Sequence, residues 1–192
     1  MPVNSPAAII IELSCNCPVS APHSVARLYS DHSRKPPFAD GTMKALSIQQ
    51  PWVHAILCEG KDIENRSWQR NFRGWLAIHA SAKPRRDARF PRGITVPDLG
   101  TLDYSAICGV ARLVDIIPKS RSKWFYRPDD GTINFGWVLA DITALKTPIP
   151  CKGALGLWEL PPQVVRAIRR QLPKLRFDEW TIWAHPGNAY LS

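Results

Sequence analysis

Glu59-Gly-Lys-Asp-Ile-Glu-Asn-Arg-Ser-Trp68 is the stretch whose reading decides the fold. It places a lysine directly after a glycine, then a glutamate, an arginine and a tryptophan. The residues before it predict a helix and those within it a strand, so two cations, an anion and an aromatic ring meet at a joint between elements. Upstream, Met43–Ile48 predicts a first strand. Pro51 suits the first turn of a helix, where its missing N–H costs nothing. Trp52 to Cys58 is that helix, with Val53, Ile56 and Leu57 as its apolar stripe, and Gly60 ends it. A strand is expected over Asp62–Ser67. Its period of two puts Asp62, Glu64, Arg66 and Trp68 on one face and Ile63, Asn65 and Ser67 on the other. Lys61 lies in the turn, so this period does not set its direction.

Working downstream, Gln69–Phe72 reads as a turn. Arg73–Ser81 reads as a strand in which Leu76 and Ile78 alternate with Trp75, Ala77, His79 and Ser81. Lys83–Pro97 is a basic, proline-containing excursion. Ala106–Ile117 is a long strand, Ser120–Asp130 a loop carrying Trp124, Phe125 and Tyr126, and Phe135–Ile142 and Ala154–Leu160 two further strands. Pro161 and Pro162 open an amphipathic helix reaching about Leu172. Val164, Val165, Ile168 and Leu172 share one face and Arg166, Arg169 and Arg170 the other. The expectation is an α+β domain: a small mixed β-barrel, closed or nearly so, with a helix inserted after the first strand and a C-terminal helix. A parallel α/β sheet would need a helix after every strand.

The 192 residues suggest one domain and an appendage. Residues 1–42 hold six prolines and no sustained periodicity beyond a possible short strand at Ile9-Ile10-Ile11. They read as a poorly ordered leader, with Met43 a candidate start. The barrel domain then covers 43–160, and a helix and tail with Trp180 and Trp183 cover 161–192. No apolar run approaches the roughly 18 residues of a membrane span. The short run Ala7–Ile11 has no basic flank and is followed by Glu12, unlike a signal peptide. No membrane association and a cytoplasmic location are expected. The five cysteines are scattered, and Cys15-Asn-Cys17 is too tight for the usual zinc spacing. Reduced thiols, no metal and no cofactor are expected.

The formal net charge is +9, from 25 Lys and Arg against 16 Asp and Glu. All of the excess lies beyond residue 42, and Lys61–Arg92 holds nine basic residues against three acidic ones. Such a domain favours polyanions, nucleic acid first. A cationic surface kept for solubility is the plainer alternative.

Three blocks are recognisable: Ala45-Leu-Ser-Ile-Gln-Gln-Pro-Trp52, Gly60-Lys-Asp-Ile-Glu-Asn-Arg66 and Arg73-Gly-Trp-Leu-Ala-Ile-His-Ala-Ser81. Three later blocks agree: Gly109-Val-Ala-Arg-Leu-Val-Asp115, Phe135-Gly-Trp-Val-Leu139 and Pro150-Cys-Lys-Gly-Ala-Leu-Gly-Leu-Trp158. Together they resemble the ASCH domain, the activating-signal-cointegrator homology family, over about residues 43–160. Its GxKxxExR signature falls on Gly60, Lys61, Glu64 and Arg66. The resemblance implies a PUA-like β-barrel with a cleft beside the first helix, and RNA or nucleotide-related ligands. One branch of the family is made of small amidohydrolases acting on acetylated cytidine, with a lysine nucleophile, a threonine three residues later and a separate glutamate base. In this chain the third residue after Lys61 is Glu64.

Two readings of the site stand side by side. In the first, Arg66 and Lys61 bind phosphate or a base edge, Glu64 accepts from an exocyclic amine or orients Lys61, and Trp52 or Trp68 stacks on an unpaired base. Gly60 leaves room for a ligand. Ser47, Gln49 and Gln50 offer groups at the helix N-terminus, and Arg73, His79, Ser81 and Lys83 flank the region. Arg85, Arg86, Arg89 and Arg92 read as phosphate contacts on a loop. In the second, Glu64 pairs with Arg66 or Lys61 to close the barrel mouth, the tryptophans are core, Gln50 caps the helix, and His79 is packed and hydrogen-bonded. An RNA-binding or single-strand-binding module is the leading expectation. An amidohydrolase or nuclease with Lys61 and Glu64 as catalytic pair is the alternative. A third possibility is a protein-interaction domain centred on Trp124–Tyr126.

Overall fold

The computed structural model describes residues 42–177. Apart from Thr42, the expected leader lies outside the described residues, as do Ile9-Ile10-Ile11, Cys15, Cys17, Trp180 and Trp183. The elements are β1 (Lys44–Ile48), α1 (Trp52–Cys58), β2 (Ile63–Arg66), β3 (Gly74–Ala80), a 3-10 turn at Leu99–Thr101, β4 (Ala106–Ile117), β5 (Phe135–Pro150), β6 (Leu157–Glu159) and α2 (Pro162–Gln171). The six strands form one mixed sheet in the order β2-β5-β4-β3-β1-β6. β1 and β3 run parallel, and the other neighbours run antiparallel. Among the described residues no helix is long and apolar enough to cross a membrane.

Both faces of this sheet are covered, which explains why its central strands read as almost continuously apolar. Leu46 and Ile48 of β1 and Leu76, Ile78 and Ala80 of β3 point to one face, where they meet Val53 and Ile56 of α1 together with Trp137 and Leu139. Ala45, Trp75 and Ala77 point to the other, against Val164, Val165 and Ile168 of α2. The period of two in the sequence thus divides two cores rather than a core from solvent. β5 runs on to Pro150, past the expected end at Ile142. Asp141 has φ 48°, and the β4–β5 register shifts nearby. What looks like a strand end is a bulge, and bulges bend a ribbon more strongly than regular pairing does.

That bending produces a curled half-barrel rather than a closed one. The hydrogen-bonded order leaves β2 and β6 as edges, and no ladder joins them among the described residues. Side chains bridge the seam instead. Arg66 on edge strand β2 donates to the Ser47 carbonyl of β1 at 2.8 Å, although β5, β4 and β3 lie between those strands in the sheet. Helix α1 fills the concave face. At seven residues it is too short to be stable alone, and burial of Val53, Ala55 and Ile56 holds it. Gln50 assists: its side-chain oxygen accepts from the His54 N–H at 3.1 Å, and its amide donates to the Asp103 carbonyl at 3.1 Å.

The helix packs so closely on β4 that only glycine fits beneath it. A Cβ on Gly109 would lie 2.5 Å from Leu57 Cδ2 and 2.7 Å from the Thr143 carbonyl oxygen. Leu57 can rotate away, but the β5 backbone cannot. Gly109→Ala is therefore expected to destabilise the domain by about 1–3 kcal/mol, as overpacked cores do. An unchanged urea midpoint would refute this packing.

Candidate functional site

The site begins at the C-terminus of α1. Gly60 adopts φ +68°, a conformation that costs other residues strain. The chain reverses there, and the Lys61 N–H returns to the Ala55 carbonyl at 3.0 Å. This bond settles the direction that strand periodicity leaves open: Lys61 turns inward. Its ammonium passes 5.8 Å from the centre of the Trp52 ring and reaches Glu64 Oε2 at 2.9 Å and the Ile63 carbonyl. The other carboxylate oxygen of Glu64 faces Arg66 Nη2 at 3.2 Å. The side chains of Lys61 and Glu64 are 2% and 8% exposed. The signature residues thus form a chain of cation, anion and cation, buried at Lys61 and Glu64, half-buried at Arg66 and anchored at its far end on Ser47.

This chain is also the floor of an open cleft of about 660 Å³, within the usual range of small-ligand pockets. Lys61 and Glu64 form part of its lining. An aromatic row makes one wall: Trp52 lies 5.2 Å from Phe90, and Phe90 lies 5.4 Å from Trp124. The indole N–H of Trp124 is buried without a hydrogen-bond partner. Tyr126 stands at the edge, 58% exposed. Arg85, Arg89 and Lys123 supply cations at the rim. Arg85 is engaged by Asp87 at 2.6 and 3.0 Å, and those bonds hold the Asp87 carboxyl below its ordinary range.

Asn65 fixes the aromatic wall. The period of two places it opposite Glu64, yet its amide group reaches the loop after β4. It donates to the Trp124 carbonyl at 2.8 Å and accepts from the Tyr126 N–H at 2.9 Å. Ser122 donates to Asp62 at 2.6 Å, which ties the same loop to the start of β2. Sequence reasoning missed Phe90 and Asn65. The available signals were a phenylalanine among arginines in a loop, and three consecutive aromatics in a segment without strand periodicity.

Of the residues expected at the site, Trp52, Lys61 and Glu64 line the cleft, and Gly60 and Arg66 position them. Others fall elsewhere. Trp68 lies beyond the end of β2 and packs edge-on against Trp137 at 4.6 Å, half-buried against the core. Arg73 sits at the far end of β3, where it pairs with Asp115 at 3.2 Å. Gln49 and Lys83 are exposed, and Ser81 donates to the Lys83 carbonyl; none of the three lines the cleft. Arg86 and Arg92 are likewise exposed and outside it, whereas Arg85 and Arg89 belong to it. The hydroxyl of Ser47 is occupied by the Ala154 carbonyl and by the indole of Trp158.

His79 lies in that second cluster and not in the cleft. It is 1% exposed. Its Nε2 pairs with the Cys151 carbonyl at 2.9 Å, and its ring sits edge-on to Trp158. A Cβ on Gly153 would come within 2.4 Å of the ring, so a glycine is required beside it. Burial lowers its pKa, and the bond to Cys151 only partly offsets this. The packed, hydrogen-bonded reading of His79 is what the geometry supports. Burial pushes the Cys108 thiol up to about 12, so it offers no thiolate at neutral pH. Among the described residues no group of three or more His, Cys, Asp or Glu gathers to hold a metal.

Two outcomes follow from this geometry. Glu64→Ala strands Lys61 and Arg66 and is expected to cost about 3–5 kcal/mol, much of it regained when Lys61→Met and Glu64→Leu are combined. A loss below about 1 kcal/mol in urea unfolding would show that no buried ion pair is being broken. His79 takes up a proton near its ordinary pKa of 6.5 when unfolded but only at lower pH when folded. Its contribution to stability is therefore complete above that value and lost as pH falls through it, because the unfolded chain then binds more protons. Unfolding free energies measured from about pH 7.5 to 5 should fall with a slope that His79→Gln reduces. An unaltered slope would assign the effect to other groups.

The ASCH domain model matches residues 46–130. Among solved structures, the ASCH protein of Zymomonas mobilis is similar at 15% identity, with 65% of this chain and 93% of that one covered and a TM-score of 0.44. Two variants of the Zymomonas protein, one with a tyrosine and one with a serine replaced, align at 15% and 14% identity. Their TM-scores are 0.44 and 0.42; they cover 66% and 67% of this chain, and 96% and 95% of their own lengths are covered. A comparison with curated proteins finds no match. The residues that match the ASCH domain model run from β1 through the aromatic loop after β4.

Proposed function

We propose that the cleft binds single-stranded nucleic acid, RNA in particular. The observation that carries this reading is the aromatic row Trp52–Phe90–Trp124 standing beside buried Lys61 and Glu64, under a rim bearing Arg89 and Lys123. An unpaired base needs a π-face to stack on and polar groups at its edge. Trp52 and Trp124 supply the first. Glu64, as an acceptor in the floor, supplies the second. Arg89 and Lys123 take the flanking phosphates. A PUA-like barrel with its mouth at this cleft is the architecture the reading assumes.

The same geometry favours binding over amide hydrolysis. Lys61 donates to both Glu64 and the Ile63 carbonyl. A lysine nucleophile needs its lone pair free and its positive charge disfavoured, and a carboxylate at 2.9 Å opposes both.

Fluorescence anisotropy with labelled single-stranded RNA should show binding that weakens with salt, with a log–log slope of about −1.4 for two phosphates. Arg89→Glu with Lys123→Glu should abolish most of that slope, and Trp52→Ala should cost about 1–3 kcal/mol of affinity. The absence of salt-sensitive binding to any RNA or single-stranded DNA would dismiss the proposal.

A further inference from the structure

The loop carrying Trp124, Phe125 and Tyr126 has a second side. Between the end of β4 and the start of β5 runs another groove, of about 520 Å³. Lys119, Arg121 and Arg127 line it, with Phe125 and Ile133 as its apolar part, and no acidic residue is among its lining. Lys119 and Arg121 are exposed, and Ile133 is 68% exposed. This groove lies outside the signature residues and shares none of the Lys61–Glu64–Arg66 chain.

Phe125 lines both grooves, so the separation between them is no more than this loop. The loop is held rigidly. Asn65 grips it from β2, Asn134 donates to the Tyr126 carbonyl at 2.8 Å, and Arg127 bonds the Ser120 carbonyl. Beneath the ring, Gly136 approaches so closely that a Cβ would lie 2.9 Å from Phe125. A ridge fixed from below with a cationic groove on each side is preorganised for an extended polyanion, because little ordering remains to be done on binding.

We propose that this groove is a second nucleotide subsite, and that one RNA strand crosses the Trp124–Tyr126 ridge with bases on both sides. Lys119, Arg121 and, on the crest, Lys123 then follow its phosphates. This rests on the reading of the first cleft as a nucleic-acid site. The occupant is single-stranded because a duplex offers no unstacked base to either groove. The excess of cations with an apolar strip between them complements phosphates and bases together, where an apolar protein partner would leave the charges buried and unpaired.

The test compares oligoribonucleotides of three and about ten residues by competition anisotropy, on the whole chain and on Lys119→Glu combined with Arg121→Glu. Both residues are exposed, and the variant's urea midpoint verifies its fold. The wild type should bind the longer strand at least about ten-fold more tightly, since single-strand sites span about 4–16 nucleotides. The variant should lose that advantage, keep its affinity for the trinucleotide, and show a salt slope shallower by about 1.4 for two lost phosphates. Trinucleotide binding with no gain from length, or equal losses for both lengths in the variant, would overturn this subsite and leave the first cleft standing. Binding of neither length would overturn both. Displacement of the longer strand by polyglutamate as readily as by unlabelled RNA would reduce the groove to a general anion surface and overturn the subsite.

Discussion

The carboxylate of Glu64, buried between Lys61 and Arg66, connects parts of the chain that the backbone ladder leaves apart. Lys61 brings the end of α1, Glu64 and Arg66 bring edge strand β2, and Arg66 carries the connection to the end of β1. A charge in a low-dielectric interior costs several kcal/mol unless it is matched. Each member of this chain is therefore tolerable only while the others are in place. That mutual dependence gives the open seam of the half-barrel a defined geometry where main-chain pairing is missing.

The same constraint shapes the cleft. With one anion between two cations, the floor carries one net positive charge, and most of its hydrogen-bonding capacity is directed inward. Exposed cationic charge lies instead at the rim, where Arg89 and Lys123 stand in solvent. Apolar contact comes from the aromatic row, whose far end is held by Asn65 on the same short strand. β2 is four residues long, yet it supplies the carboxylate, the clasp across the seam and the latch on the aromatic loop.

Much of the site was legible in residues 59–68. The period of two correctly pairs Glu64 with Arg66, and a glycine followed by lysine marks the reversal after α1. Trp68 falls outside the cleft because β2 ends at Arg66, so the alternation does not reach it, and its ring packs against Trp137 instead. Arg73 and His79 were grouped with the site because they lie in the next strand. Sheet order separates them, since β3 neighbours β4 and β1 rather than β2. Phe90 and Asn65 were illegible for a different reason. Their role depends on loops that carry no periodicity, so nothing local indicates which ring meets which.

By itself the sequence determined the element types, the alternation along the strands, the cationic character of residues 61–92 and the family signature, because each of these is a matter of local period, composition or spacing. Only the tertiary structure decided that Lys61 turns inward, that the signature residues neutralise one another and still floor an open cleft, and that the sheet stops at a half-barrel. Those outcomes depend on long-range packing. α1 fits the concave face only over Gly109, the β5 bulge at Asp141 bends the ribbon, and Arg66 finds its acceptor on a strand four places away in the sheet.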